Sequence, residues 1–204
     1  MDFYSRVAWL YEGWGRIADS RVRRQVRALV GESPGGATLE VGCGSGATLA
    51  DLARDNPTGR TAGVDLAPGM VKAARRRLAR AGLEQADVEL GDASGLDFED
   101  ASLDTVTSSY VLDILPTERI VATLQELFRV LKPGGRVVLV NVTPGERRRH
   151  TLPELLYGTG LPLTGNCRGI HAVPLLQQVG FTDIDRRYVS QLNLPSEVVS
   201  ARRP

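Results

Sequence analysis

The chain has 204 residues, enough for one sizeable domain and marginal for two. Hydrophobic residues make up 42% and charged residues 24%, with 25 Lys+Arg against 24 Asp+Glu. That near-neutral balance gives no whole-chain electrostatic case for a nucleic-acid partner or an anionic membrane. The short basic runs Arg75-Arg76-Arg77 and Arg147-Arg148-Arg149 read as solvated helix faces. Cys43 and Cys167 lie far apart and show no metal-ligand spacing, so no metal is expected and a reduced cytosolic setting fits. The start at Met1-Asp2-Phe3-Tyr4 has no secretory pattern, and no apolar run approaches the roughly 20 residues of a membrane span.

In chain order, Phe3, Val7, Leu10 and Trp14 form one helical face, and Val22, Val26 and Leu29 form a second that Gly31 would cap. From Ala37 the pattern becomes an alternation of short strands and helices. Strands are predicted at 37–41, 60–65, 87–90 and 103–108, with helices at 46–55 and from Pro68 to Gly82. A strongly amphipathic helix follows at 117–131, stopped by Lys132-Pro133-Gly134-Gly135. Residues 136–142 are the most β-like run of the chain. The stretch 143–170 is rich in glycine and proline around Leu155-Leu156-Tyr157 and reads as a lid or insertion. A helix at 171–179 and two strands, 181–188 and 196–201, close the chain. The alternation predicts an α/β sandwich around a mainly parallel sheet. One domain is expected: a helical extension at 1–32, a ligand-binding core at 33–142, a lid at 143–170 and a terminal helix with a hairpin at 171–204.

The chemistry concentrates at Glu40-Val41-Gly42-Cys43-Gly44-Ser45-Gly46. A strand ends, glycines turn tightly, and a helix begins. Glycine is needed there because a Cβ would keep the backbone from closing on a ligand. Nineteen residues beyond Gly46, at the next strand end, Asp65 can accept hydrogen bonds from both hydroxyls of a ribose. This much is ambiguous, because Gly42, Gly44 and Ala47 also satisfy the nicotinamide-dinucleotide fingerprint. Glu40 separates the two readings. A carboxylate there suits a cationic ligand group such as an amino-acid ammonium and opposes a pyrophosphate. Asp92, after the third strand, can accept from an adenine amine, and the backbone N–H of Ala93 can donate to the ring.

Together these residues resemble the class I S-adenosylmethionine-dependent methyltransferases, from about residue 37 to the C-terminus. The family's E/D-x-G-x-G-x-G loop stands complete at 40–46. Its ribose acid matches Asp65 in Gly63-Val64-Asp65-Leu66-Ala67-Pro68-Gly69-Met70, and its adenine acid matches Asp92. Its fourth-strand region matches 98–106. The resemblance implies a Rossmann-like three-layer sandwich with a seven-stranded, mainly parallel sheet whose last strand is antiparallel. It implies S-adenosylmethionine as cofactor, contacted by Glu40, Gly42, Cys43, Gly44, Gly46, Asp65, Leu66, Met70, Asp92, Ala93 and Ser109. Tyr4 and Tyr11, seven apart on one helical side, either cover that cofactor or pack at the domain edge. The N-terminal Tyr-rich helix and the Pro-Gly-Met after Asp65 are similar to the ubiquinone and menaquinone C-methyltransferase branch. The 143–170 stretch does not match that branch clearly, so its substrate is not carried over.

The expected reaction is in-line methyl transfer near Ser109-Tyr110, with Tyr110, Asp113 and His150 as candidates for a base. Cys43 is a small filler and not a nucleophile, since no base lies near it in the pattern. The apolar stretch containing Leu152, Leu155, Leu156, Tyr157, Leu161 and Leu163 favours a hydrophobic or aromatic small molecule as acceptor. Carbon, oxygen, nitrogen and sulfur acceptors all stay open, as does oligomeric state. Alternatives are a fold that binds the cofactor without transfer, one that catalyses another reaction such as cyclisation, and a nicotinamide-dependent oxidoreductase.

Overall fold

A computed structural model describes residues 20–31, 35–144, 169–191 and 194–204. Seven strands form one sheet in the order β3-β2-β1-β4-β5-β7-β6. They are β1 (Ala37–Val41), β2 (Arg60–Asp65), β3 (Ala86–Leu90), β4 (Leu103–Ser109), β5 (Leu131–Val142), β6 (Thr182–Gln191) and β7 (Leu194–Arg202). Strands β1 to β5 pair in parallel, and β7 runs antiparallel to both β5 and β6. The helices are α1 (Ser20–Val30), α2 (Ala47–Asp55), α3 (Pro68–Arg80), α4 (Thr117–Val130) and α5 (Ala172–Val179).

Side-chain alternation along the central strands assigns the layers. Val137 and Leu139 of β5 join Leu124, Leu127 and Leu176 of α4 and α5 in one buried cluster. The intervening Val138 and Val140 face the other way, into a cluster with Val22, Val26 and Leu29 of α1. The α2 and α3 faces, with Leu49, Ala53, Val71, Ala74 and Leu78, cover β2 and β3 on that second side. The result is the expected sandwich: α1, α2 and α3 on one face, α4 and α5 on the other.

The chain leaves β1 toward β2 and β3, then returns to lay β4 on the opposite side of β1. Connections therefore diverge above β1 and β4, opening a crevice at their carboxyl ends. The predicted elements match these bounds closely, with two differences. Helix α4 ends at Val130, and Leu131 already pairs with Leu103 before Lys132-Pro133-Gly134-Gly135 bulges out and pairing resumes at Thr105↔Arg136. Pro133 has no N–H for a ladder and Gly134 takes φ +76°, so these residues loop out between two paired stretches. The terminal hairpin is also longer than expected, because pairing continues from Tyr188↔Glu197 to Gln191↔Leu194.

The β3–β4 connection carries no strand of its own and is fixed by Arg129. Its guanidinium donates to the carbonyls of Leu96 (2.9 Å) and Phe98 (2.8 Å) and to Asp100 and Glu126. Glu126 in turn accepts from the Leu96 N–H at 3.0 Å. Replacing Arg129 with alanine is expected to lower stability by about 2 kcal/mol in denaturant titration, with the sheet intact by circular dichroism.

Candidate active site at the strand ends

The glycine loop joins β1 to α2 in the crevice. Gly42, Gly44 and Gly46 all have positive φ, at +71°, +54° and +75°. Each serves a different end. A Cβ on Gly42 would stand 2.1 Å from Val111 Cγ2, so this glycine lets the loop pack against the chain leaving β4. A Cβ on Gly46 would meet Ala74 of α3 at 2.9 Å. A Cβ on Gly44 would meet nothing within 4 Å, so here the backbone borders open space.

The Gly44 N–H donates to Asp65 Oδ2 at 2.8 Å, and the Ala67 N–H donates to Asp65 Oδ1 at 2.9 Å. Two backbone amides thus hold the carboxylate beside the loop, and each oxygen keeps a lone pair for another donor. The loop itself hangs on β2 through the Gly42 and Cys43 N–H groups, both on the Val64 carbonyl. Leu66, next to Asp65, is 63% exposed, unusual for a large apolar side chain, and Met70 is half-buried one helical turn on. Glu40 lies buried on β1 just below the glycines. Cys43 is buried too. Burial raises its thiol pKa far above the usual range, and the Glu40 and Asp65 carboxylates add to the rise. It stays a thiol at neutral pH and fills space against Gly63.

Asp92 has partners within the fold. Arg119 of α4 donates Nη2 to both its oxygens, at 2.7 and 2.6 Å, and the Ser94 N–H and hydroxyl donate to Oδ1. Oδ2 keeps room for one further donor. Sequence reasoning missed Arg119, because the pair spans 27 positions and no local spacing signals it. The Arg119 hydrogen bonds, followed by the Ser94 N–H, hold the Asp92 carboxyl below its ordinary pKa, and Arg129 does the same for Glu126. A group with a depressed folded value stabilises the fold above its unfolded value and loses that contribution as pH falls through the folded one. The thermal midpoint is therefore expected to hold between pH 7 and 5 and to drop below about pH 4, less steeply in Asp92→Asn. Partial exposure of the Asp92 pair keeps its share small.

Of the base candidates, Tyr110 and Asp113 lie among the described residues. Ser109 ends β4 half-buried at the crevice. Tyr110 follows with φ +58°, which turns its ring to the α1 side against the Val138 and Val140 cluster. Its hydroxyl lies 3.3 Å from Ser196 Oγ. Asp113 is 1% exposed, and its Oδ2 accepts from the Val142 N–H at 3.0 Å, tying the end of β5 to the turn after β4. A carboxylate so enclosed and engaged is a structural post, not an open proton acceptor. His150, Tyr4, Tyr11 and the apolar residues of the expected lid lie outside the described residues. Among the described residues, no three His, Cys, Asp or Glu side chains gather as a metal site, and no helix is long and apolar enough to cross a membrane.

Residues 38–135, from β1 to the glycine turn in β5, match the methyltransferase-domain family model. This span covers the glycine loop, Asp65 and Asp92. The chain is similar to the class I S-adenosylmethionine-dependent methyltransferases. A demethylmenaquinone methyltransferase of Symbiobacterium thermophilum is 32% identical over 148 residues, 70% of this chain and 58% of that one. A nocamycin O-methyltransferase of Saccharothrix syringae is 36% identical over 157 residues, 76% of this chain and 55% of the relative. The chain thus spans little more than half the length of these curated relatives. A solved structure of a possible histamine N-methyltransferase from Thermotoga maritima superposes over 100% of this chain and 99% of its own, with a TM-score of 0.78. At 20% identity that likeness concerns the fold.

Proposed function

We propose that this methyltransferase binds S-adenosylmethionine along the carboxyl ends of β1, β2 and β3 and transfers its methyl group to a small, hydrophobic or aromatic molecule. The observation that carries the reading is Gly44. Its Cα borders open space while its N–H fixes Asp65 beside that space, the arrangement a ribose diol needs. When bound, the sulfonium supplies an already activated methyl carbon.

The chain's own residues then bind and align. Asp65 takes the ribose hydroxyls on the lone pairs its backbone donors leave. Leu66 and Met70 lie against the adenine face, the Ala93 N–H donates to the ring, and Asp92 Oδ2 accepts the amine. Gly42, Cys43, Gly44 and Gly46 let the backbone close on the amino-acid end, and Glu40 favours its positive charge. Ser109 borders the methyl end. Alignment carries the transfer, because Tyr110 and Asp113 are engaged within the fold. The free Cys43 thiol suits a cytoplasmic setting.

The acceptor class draws on relatives named for demethylmenaquinone and nocamycin. Incubation with methyl-tritiated S-adenosylmethionine and a panel of phenols and reduced quinones is expected to move label into an organic-extractable product. Label found instead in added RNA or protein contradicts the small-molecule reading. Tyr110→Phe is expected to keep kcat within about threefold, since its hydroxyl is engaged within the fold with Ser196. A hundredfold fall in kcat assigns Tyr110 the proton.

A further inference from the structure

Strand β5 ends Val137-Val138-Leu139-Val140-Asn141-Val142. Five of these residues are what a buried parallel strand calls for, and Asn141 is not. Asn141 is 1% exposed, and its side-chain Nδ2 is fully covered with no hydrogen-bond acceptor. A buried amide without a partner demands an explanation, since such groups are rare and costly. Its neighbours already accept other donors. Glu197, its register partner on β7, accepts from the Ala172 N–H on Oε1 and from Arg186 on Oε2. The nearby Asp113 gives Oδ2 to the Val142 N–H.

Position supplies the explanation. Val140 pairs with Ser109 and accepts from the Tyr110 N–H, so Asn141 stands one residue beyond the level of Ser109, at the carboxyl end of the strand next to β4. By alternation with Val137 and Leu139 its side chain is on the α4/α5 face, whose cluster includes Leu112, Leu139 and Ile170. We infer that Asn141 is a binding residue for the methyl acceptor, its amide hydrogen-bonding a neutral hydroxyl or carbonyl oxygen on an otherwise apolar ring. A carboxamide offers both a donor and an acceptor and carries no charge, which matches such an oxygen and not an ionised group. The inference rests on the methyl-transfer reading above and adds the ring oxygen as the recognised group.

The test compares 1-naphthol with naphthalene as calorimetric ligands, with and without S-adenosylhomocysteine, on the full chain and on Asn141→Leu. The wild type is expected to bind 1-naphthol at least tenfold tighter than naphthalene. Asn141→Leu is expected to erase that difference, to leave S-adenosylhomocysteine binding unchanged, and to raise Tm, because an apolar side chain of similar shape removes the unpaired amide. Equal affinity of the wild type for the two rings, or no binding of either, overturns the inference, as does discrimination that survives in Asn141→Leu. A lowered Tm in both Asn141→Leu and Asn141→Val marks a structural amide and also overturns it. Failure of S-adenosylhomocysteine to bind the wild type counts against the cofactor reading alone.

Discussion

Asp65→Ala is expected to weaken S-adenosylhomocysteine binding at least a hundredfold. Two hydroxyl hydrogen bonds to a carboxylate are worth about 3 kcal/mol or more together, which converts to that factor in Kd. The loss has a second source. The same carboxylate accepts from the Gly44 and Ala67 N–H groups, so its removal frees the glycine loop that the ligand must meet. Asp65→Asn separates the two contributions. Its carbonyl oxygen keeps one backbone donor, while its amide faces the other N–H with a like dipole. An intermediate loss of about tenfold to thirtyfold is expected by calorimetry, with Tm lowered by no more than a few degrees.

Glu197→Ala carries the largest expected loss of stability. Glu197 is 0% exposed, and both oxygens are engaged: the Ala172 N–H at the start of α5, and Arg186 at 2.5 Å. Removing the carboxylate leaves the Arg186 guanidinium beside an apolar cluster and the first turn of α5 without its acceptor. Breaking a buried pair from one side costs about 3–5 kcal/mol, or roughly 10 °C in Tm for a chain of this size. Because Arg186 is itself 30% exposed and reaches water, the lower half of that range is expected. Thermal unfolding of Glu197→Ala and Glu197→Gln checks this. The glutamine variant keeps the Ala172 acceptor and should recover about half of the loss.

Much of this fold is written locally. The 3.6 periodicity of Val22-Val26-Leu29 and the β-branched apolar run at 136–142 depend on neighbours in sequence, and the helix and strand stand where those patterns put them. The glycine loop was legible for the same reason, since a turn that needs three positive φ values allows few residues besides glycine. What the sequence could not tell depends on distant partners. Arg119 reaches Asp92 across 27 positions, and Glu197 reaches Ala172 and Arg186 across a hairpin and a helix start. Asp113 looked like a base because an acid after β4 is well placed for one. Its burial under the end of β5 follows from a turn that no periodicity announces. Asn141 left a visible trace, a polar residue breaking a Val-rich strand, and only the fold shows that its amide is buried without an acceptor.

The central claim is that the crevice above β1 and β4 holds S-adenosylmethionine and not a dinucleotide. Calorimetric titration of the purified chain with S-adenosylhomocysteine, with NAD as the matched control, tests it most directly. Micromolar one-to-one binding of S-adenosylhomocysteine that disappears in Asp65→Ala, with no heat from NAD, is the predicted result. Saturable binding of NAD with no response to S-adenosylhomocysteine would contradict the account and assign Gly42, Gly44 and Ala47 to a pyrophosphate instead.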